Sequence, residues 1–313
     1  MNISSGLRGW PLAFLCAVTF ALLTTPTVAV AQAWVPRQGQ GSLTFSHQRI
    51  SHTGVMLMDG YVDDGGYSTN MSFYVQADYA FTNRLSFSAG LPFVMGKFTD
   101  PDPPHGNSPL DLCRCWNSGF QDFSLTGRYN LINGTFALTP SVSVGLPSHD
   151  YASEGEAVVG RNLREVRIAL DAGKRLDLVS PRLSIEAGYS YAFVERIIDV
   201  GTNRSNVHIV PAYQLHNRLS LRGIFSYQYT HGGLRVASPT SSTPGDINTP
   251  ERRAEHDRIL KDNYWHAGGG VTYSFNKMDV FGTYIHSVTG ENTHRGSAFT
   301  VGVSFPFQTG EHP

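Results

Sequence analysis

The residues with the clearest chemical potential in this sequence are ten ionisable side chains that lie on segments of alternating apolar and polar residues. Each shares the polar side of its segment with Ser, Thr, Gly and Ala, so all ten would face one common interior. Acids and bases at one level of such an interior can orient and filter polar solutes. A salt-bridged network that only braces the interior is the alternative, and the sequence leaves both open. The ten residues are Asp78, Asp122, Arg128, Glu165, Arg167, Asp171, Glu186, His208, Arg222 and His266.

A second candidate group is the thiol pair Cys113 and Cys115, which has Asp111 and His105 nearby. Two thiols with a carboxylate and an imidazole could bind a metal, although zinc sites usually show wider ligand spacing. A disulfide, either within the loop or between two chains, is the other interpretation for an exported protein. We expect an oxidised pair that pins its loop.

Catalytic signals are weak. Ser and His are numerous, so an inward pair such as Ser226 and His266 can come close by chance. The sequence has no H-E-x-x-H motif, no nucleophile elbow and no phosphate-binding loop. We therefore expect neither an enzyme nor a cofactor.

The elements that position these side chains are predicted to be β-strands, because apolar residues recur with period two from residue 41 onward. Their length of about 10 to 14 residues suits tilted membrane-spanning strands, which need ~9–11 residues, better than soluble strands of ~5–6. Twelve such segments are predicted, at 41–51, 70–81, 84–95, 118–131, 135–147, 162–173, 181–194, 203–215, 218–231, 262–275, 277–288 and 296–307.

Short and long connections alternate between these strands. The short ones, such as 132–134 and 216–217, carry Asn or Gly, which suit tight hairpins. Short periplasmic turns and longer outer loops are typical of outer-membrane barrels. We therefore predict an all-β, up-and-down antiparallel transmembrane β-barrel of about 12 strands, with a soluble β-sandwich as the alternative. The long connections are 52–69, 96–117, 148–161, 195–202, 232–261 and 289–295.

Two proline-containing repeats, at 90–92 and 145–147, fall near the predicted outer ends of the third and fifth strands. Proline cannot donate a ladder hydrogen bond, so we expect a rim or a β-bulge at these places.

Composition supports this class. The chain has 313 residues, 24 of them basic and 25 acidic, so it has no excess of positive charge for nucleic-acid binding. Charged residues make up 16%, against roughly 25% in ordinary soluble domains. Its apolar and aromatic content argues against disorder, and after the N-terminus no apolar run approaches the ~20 residues of a spanning helix.

The N-terminal segment 1–33 is predicted to be a signal peptide. Arg8 provides its positive region, 12–23 form its apolar core, and cleavage is expected near Ala31 or Ala33. Residues 34–313 then form the barrel, which we expect in the outer membrane as a monomer inserted by the barrel-assembly machinery, in contact with lipid and small solutes.

The longest predicted loop, 232–261, contains a helix signal. Thr249, Pro250 and Glu251 provide an N-cap, a first-turn proline and an early acid, so 251–261 are predicted to form a short helix. This helix could cap the barrel, fold inward or remain solvated. Residues 238–248, rich in Ser, Thr, Pro and Gly, are expected to be mobile.

Three stretches carry a family resemblance: ADYAFTNRLSFSAGLPFV at 77–94, QDFSLTGRYNL at 121–131 and GENTHRGSAFTVGVSF at 290–305. They resemble the outer-membrane proteins known as meta-pathway phenol-degradation transporters, which are discussed beside the long-chain fatty-acid and aromatic-hydrocarbon channels. The resemblance implies a passive route for small, often aromatic or hydrophobic molecules. Unlike the fatty-acid channels, this chain has only about eight to ten residues between the signal peptide and its first strand, so no N-terminal plug is expected.

The functional expectation is a passive outer-membrane channel whose lumen is lined by the ten ionisable residues. The alternative is a non-conducting structural or adhesion barrel whose outer loops bind a partner.

Overall fold

The computed structural model describes residues 33–63, 67–99, 108–155, 157–237, 241–242, 245–247 and 249–309. Its helices are short: α1 (Pro109–Leu112), α2 (Pro250–Ala254) and α3 (His256–Ile259). Among the described residues, no helix is both long and apolar enough to span a membrane. The strands are β1 (Gln40–Met56), β2 (Val62–Asp63), β3 (Tyr67–Ala80), β4 (Leu85–Thr99), β5 (Asn117–Phe120), β6 (Phe123–Tyr129), β7 (Phe136–Leu146), β8 (Glu165–Arg175), β9 (Leu183–Val194), β10 (Thr202–His216), β11 (Leu219–Gly232), β12 (Asn263–Ser274), β13 (Asp279–Glu291) and β14 (Thr293–Gln308).

The strands form one antiparallel sheet that closes on itself. Each strand of the wall pairs with its neighbour in chain order, and β14 pairs back with β1 from Gln40↔Gln308 to Met56↔Thr293. β2 only extends the hairpin after β1, and β5 and β6 share one place beside β4. The wall therefore has 12 strands, which confirms the predicted fold.

One wall strand is interrupted by a β-bulge between β5 and β6. β4 pairs Phe93 with Phe120 and Gly90 with Ser124, so three residues of the interrupted strand face two of β4. Pro92 lies at this point and accepts a hydrogen bond from the Gln121 N–H at 3.0 Å. The bulge expected near this proline is confirmed, but it lies in the middle of β4, because that strand continues to Thr99.

The two faces of the wall have opposite character. Outward side chains are apolar and exposed, as for Phe225 at 48% and Leu221 at 42%. Among the described buried side chains, polar ones outnumber apolar ones, and they include Thr139, which is fully buried, and Asp171, which is 3% exposed. An apolar outside around a polar inside is the arrangement that a lipid-embedded barrel requires.

The wall has a turn end, where short hairpins join the strands, and a loop end, where the longer connections lie. Aromatic side chains gather at both ends, as membrane interfaces favour. Tyr273 and Phe275 meet at the turn end with ring centroids 4.8 Å apart, and Tyr227 stacks on Trp265 at 4.5 Å nearer the loop end.

One predicted long connection is wrong. The segment 289–295 is not a loop, because β13 and β14 are joined by Asn292 alone. Asn292 has a positive φ of 48°, a conformation that asparagine tolerates better than most residues. Its Oδ1 also accepts a hydrogen bond from the Val236 N–H at 2.7 Å. The alternation of short and long connections therefore fails at the last hairpin.

Residues 33–39 form an N-terminal strap at the turn end. The strap leaves β1 beside Ala80, whose carbonyl accepts a hydrogen bond from the Gly39 N–H at 2.9 Å. At its other end the Ala33 N–H donates to Glu186 Oε2 at 3.0 Å. Glu186 lies on β9, the sixth wall strand from β1 in a wall of 12, so the strap crosses the barrel.

Candidate functional site: the barrel interior

The interior contains a cavity of about 1290 Å³. Asp78 and Arg222 do not border it in the described part of the chain, although both lie on strands of the wall. The assignment of all ten predicted ionisable residues to a solute pathway remains a prediction. Those eight line the cavity: Asp122, Arg128, Glu165, Arg167, Asp171, Glu186, His208 and His266.

Near the turn end, Asp78 is held in a polar network rather than left free. Gln76 Nε2 donates to both carboxylate oxygens of Asp78, at 3.0 and 2.9 Å, and the Ser88 hydroxyl also donates to this carboxylate. Arg128 Nη1 donates to Ser88 Oγ at 2.8 Å and lies 3.7 Å from Asp78 Oδ1. The contacts favour bracing over filtering for Asp78.

A second group near the turn end joins three neighbouring strands. The register places Asp171 of β8 opposite Gly188 of β9, and Gly188 opposite His208 of β10. His208 Nε2 lies 3.4 Å from Asp171 Oδ1 and 3.5 Å from Glu186 Oε1. A Cβ at Gly188 would collide with both Asp171 and His208, so this glycine provides the space in which they meet.

The strap ends against this group and against two further polar residues. The Ala33 carbonyl accepts hydrogen bonds from Asn130 Nδ2 at 3.1 Å and from Thr139 Oγ1 at 2.6 Å. Asn130 and Thr139 are both fully buried. Trp34 Nε1 donates to the Gly134 carbonyl at 3.0 Å. Although no plug was expected, these contacts hold a short segment across the turn end.

Toward the loop end, Glu165 is shared by two arginines. Arg167 Nη2 lies 2.6 Å from Glu165 Oε1, and Arg204 forms an ion pair with the other carboxylate oxygen. Arg204 is largely enclosed, whereas the Arg167 side chain is 44% exposed. Arg204 was not among the predicted site residues, although it lies on a predicted strand, on the same inward side as His208.

The connection between β7 and β8 folds into the barrel, and its described residues, 147–155 and 157–164, are called the inward segment below. Arg161 of this connection pairs with Asp262 at 2.8 Å, and Leu163 packs on Ala192 and Val194 of β9. Arg161 borders the cavity but was not among the predicted site residues. No periodic pattern marks it, because it lies on an irregular segment.

Helix α3, in the longest loop, contacts the inward segment. Arg258 Nε and Nη2 donate to the carbonyls of Arg161 and Asn162, each at 2.9 Å. Ile259 is fully buried, so these residues are packed over the loop end rather than solvated. The predicted N-cap is confirmed, since Thr249 Oγ1 accepts from the Arg252 N–H at 3.3 Å.

Two further predictions concern that loop. The single helix predicted over 251–261 is wrong, because the backbone breaks into α2 and α3 at Glu255, whose φ and ψ are −98° and 8°. The mobility expected for 238–248 concerns residues most of which lie outside the described part.

Asp122 is hydrogen-bonded to Tyr151, which belongs to the inward segment. The Tyr151 hydroxyl donates a hydrogen bond to Asp122 Oδ1 and accepts one from the Asn162 N–H at 3.0 Å. Burial, reinforced by the hydrogen bond to Asp122, raises the pKa of Tyr151 well above its ordinary value of 10.0. The phenol therefore remains a neutral donor at physiological pH.

His266 contributes an aromatic surface to the cavity. Its ring stacks on Tyr264 with centroids 4.2 Å apart, and the Tyr264 hydroxyl donates to Gln228 Oε1 at 3.1 Å. His266 Nε2 lies 3.2 Å from Ser287 Oγ, whereas Ser226 is its neighbour across the strand pair.

The thiol pair lies outside the barrel wall, after α1. The structure joins Cys113 and Cys115 in a disulfide. Asp111 Oδ1 instead accepts a hydrogen bond from the Ala157 N–H at 2.9 Å, which links this loop to the inward segment. His105 lies outside the described residues.

Comparison with solved structures shows the same kind of fold. An outer membrane channel from Pseudomonas putida F1 is similar with a TM-score of 0.66 at 12% identity, over 90% of this chain and 100% of that one. The β domain of the Bordetella autotransporter BrkA has a TM-score of 0.51 at 10% identity, over 86% and 100% of the two chains. No protein-family model matches the sequence, and no curated protein matches it either.

Proposed function

We propose that the protein is a passive channel of the bacterial outer membrane that conducts small solutes through the barrel lumen. The observation that carries this proposal is the cavity of about 1290 Å³, bordered by eight of the ten predicted ionisable residues, inside a closed wall with an apolar exterior. Similarity to an outer membrane channel from Pseudomonas putida supports it. The fold therefore has both a surface suited to lipid and an interior suited to water.

The charge pattern of the lumen favours small and weakly charged solutes. Most charges that border the described cavity lie against an opposite charge, as in the Glu165–Arg204 and Arg161–Asp262 pairs. Arg128 likewise lies against Asp78, which is outside the cavity lining. Paired charges leave a smaller net field than isolated ones, so they select weakly by charge.

Aromatic solutes are part of the proposal. The stacked Tyr264 and His266 rings border the cavity and offer a flat surface beside polar groups. An aromatic ring with one polar substituent fits such a surface. The resemblance to phenol-degradation transporters points to the same class of solute.

The contacts of the strap bear on where the proposed signal peptide is cleaved, after Ala31 or after Ala33. Ala33 is fully buried, and both its N–H and its carbonyl are hydrogen-bonded inside the barrel. These contacts favour cleavage after Ala31 over cleavage after Ala33, which would remove them. Intact mass measurement of the membrane form should therefore give a chain that begins at Gln32; a chain that begins at Trp34 would contradict this.

Single-channel recording in a planar bilayer tests the channel. We expect discrete ionic steps from the refolded barrel and their blockade by added phenol or benzoate, but weaker blockade by a short-chain fatty acid. A correctly folded barrel that gives no steps would refute a water-filled pore. Equal blockade by all three solutes would refute aromatic selectivity while leaving conduction intact.

A non-conducting barrel is the second candidate function. The strap and the inward segment favour it, because they narrow the lumen at the turn end and at the loop end. An Asn130→Ala/Thr139→Ala variant, which removes the two side chains that donate to the Ala33 carbonyl, distinguishes the candidates. Larger steps from this variant than from the wild type would support a channel narrowed by the strap. Silence from both folded proteins would support the structural barrel.

A further inference from the structure

Asp171, Glu186 and His208 converge on one point of the inner wall, and we propose that they bind a divalent transition-metal ion such as Zn²⁺. One ligand atom from each residue lies within 4.8 Å of the other two. The three residues come from consecutive strands of the wall, so their positions are fixed by the sheet rather than by a loop. This inference does not depend on whether solutes pass through the barrel.

The two distances from His208 match the ligand spacing of a tetrahedral ion. Two ligand atoms of one zinc ion, each bound at about 2.1 Å, lie about 3.4 Å apart. His208 Nε2 is 3.4 Å from Asp171 Oδ1 and 3.5 Å from Glu186 Oε1. The carboxylate oxygens of Asp171 and Glu186 lie within 4.8 Å of each other, so an ion would draw them to the same spacing, and water from the cavity would fill its fourth position.

The hydrogen bonding of the two carboxylates leaves the required oxygens available. Glu186 uses Oε2 to accept the Ala33 N–H at 3.0 Å, which leaves Oε1 facing His208. Asp171 is 3% exposed, yet among the described residues its carboxylate accepts no hydrogen bond, and its ion pair is the 3.4 Å approach of His208 Nε2. A buried carboxylate without hydrogen bonds is costly unless a charge compensates it.

The charge of the group also points to a cation. Two buried carboxylates face one imidazole, while the nearby Arg128 is directed to Ser88 and Asp78. A divalent ion bound by two carboxylates and a neutral imidazole gives a neutral unit. One nitrogen and two oxygen ligands suit Zn²⁺, whereas Ca²⁺ requires six to eight oxygen ligands.

Zinc titration of the refolded, untagged barrel after chelator treatment tests the site. We expect one saturable Zn²⁺ per barrel that excess Ca²⁺ does not displace. His208→Ala and Asp171→Asn should each weaken this binding at least about tenfold. His266→Ala is the matched control, since it removes another cavity histidine, and it should leave the affinity unchanged.

Two further measurements keep the test decisive if a variant folds poorly. Heat-modifiable migration on a denaturing gel reports whether each barrel is folded. The visible spectrum of the Co²⁺-loaded wild type should show the strong absorption of a four-coordinate ion. Absence of saturable Zn²⁺ binding by the folded wild type would overturn the proposal. So would binding that survives in both folded variants.

Discussion

Replacing Phe225 by arginine tests which face of the wall meets lipid. Phe225 projects outward from the middle of β11, where its neighbours across the sheet are Ile209 and Ala267. Strands rise about 3.4 Å per residue and tilt by about 40°, so each residue gains about 2.6 Å along the barrel axis. Phe225 is therefore about 16 Å from the level of Leu219 at the turn end, close to the centre of the apolar band.

The expected cost follows from this depth. An arginine on the lipid face costs about 2–4 kcal/mol at the midplane and about 0–1 kcal/mol near an interface. Phe225→Arg should therefore lower the free energy of unfolding by about 2–4 kcal/mol. Leu221→Arg lies about 10 Å nearer the turn end and should cost about 1 kcal/mol.

Ser226 provides the matched control because it borders the cavity, opposite His208 and His266. Ser226→Arg should cost less than about 1 kcal/mol, since its side chain enters the polar interior. Guanidinium unfolding of barrels reconstituted in lipid vesicles measures all three variants. An equal or larger cost for Ser226→Arg than for Phe225→Arg would show that the inward and outward faces have been assigned wrongly.

Three further predictions concern the loop end. Arg258→Ala removes two hydrogen bonds to the inward segment. Amide exchange of that segment should accelerate about tenfold while the wall strands stay protected, as measured by hydrogen-exchange mass spectrometry; unchanged exchange would show that Arg258 does not hold the segment. Without reductant, iodoacetamide should add no mass to Cys113 and Cys115, and after reduction it should label both; labelling before reduction would contradict the disulfide. Because the pKa of Tyr151 is raised in the folded state, its contribution to stability is fully present below pH 10 and is lost as the pH rises toward the folded-state pKa, since the unfolded-state phenol ionises first. The free energy of unfolding of Tyr151→Phe should therefore fall less steeply above pH 10 than that of the wild type; parallel curves would refute the raised pKa.

The strands of the wall could be predicted because the pattern that marks them lies within each short stretch of sequence. Lipid on one side and a polar interior on the other require alternation along each strand, and this alternation is visible in a short window of sequence. The error at 289–295 arose because the last hairpin extends beyond the apolar band, where Gly, Glu, Asn, Thr and His resemble a loop. Backbone pairing there continues without the apolar signal, up to the turn at Asn292.

The ends of the barrel were not predictable in the same way. Arg258 and Arg161 are 97 residues apart in the chain, and Ala33 and Glu186 are 153 apart. Such contacts depend on where the closed wall brings the segments, so no periodicity or spacing marks them. The N-cap at Thr249 could be predicted because a cap involves only neighbouring residues.

The pairing of β1 with β14 has a consequence for biogenesis. Sixteen residue pairs join the first and last strands of the wall, from Gln40↔Gln308 to Met56↔Thr293. The closing contacts thus have nearly the largest sequence separation that the chain allows, which makes closure slow. A polypeptide truncated before β14 would retain two unpaired strand edges, each able to pair with another chain. Release of the C-terminal strand is therefore the event after which the nascent protein can escape aggregation.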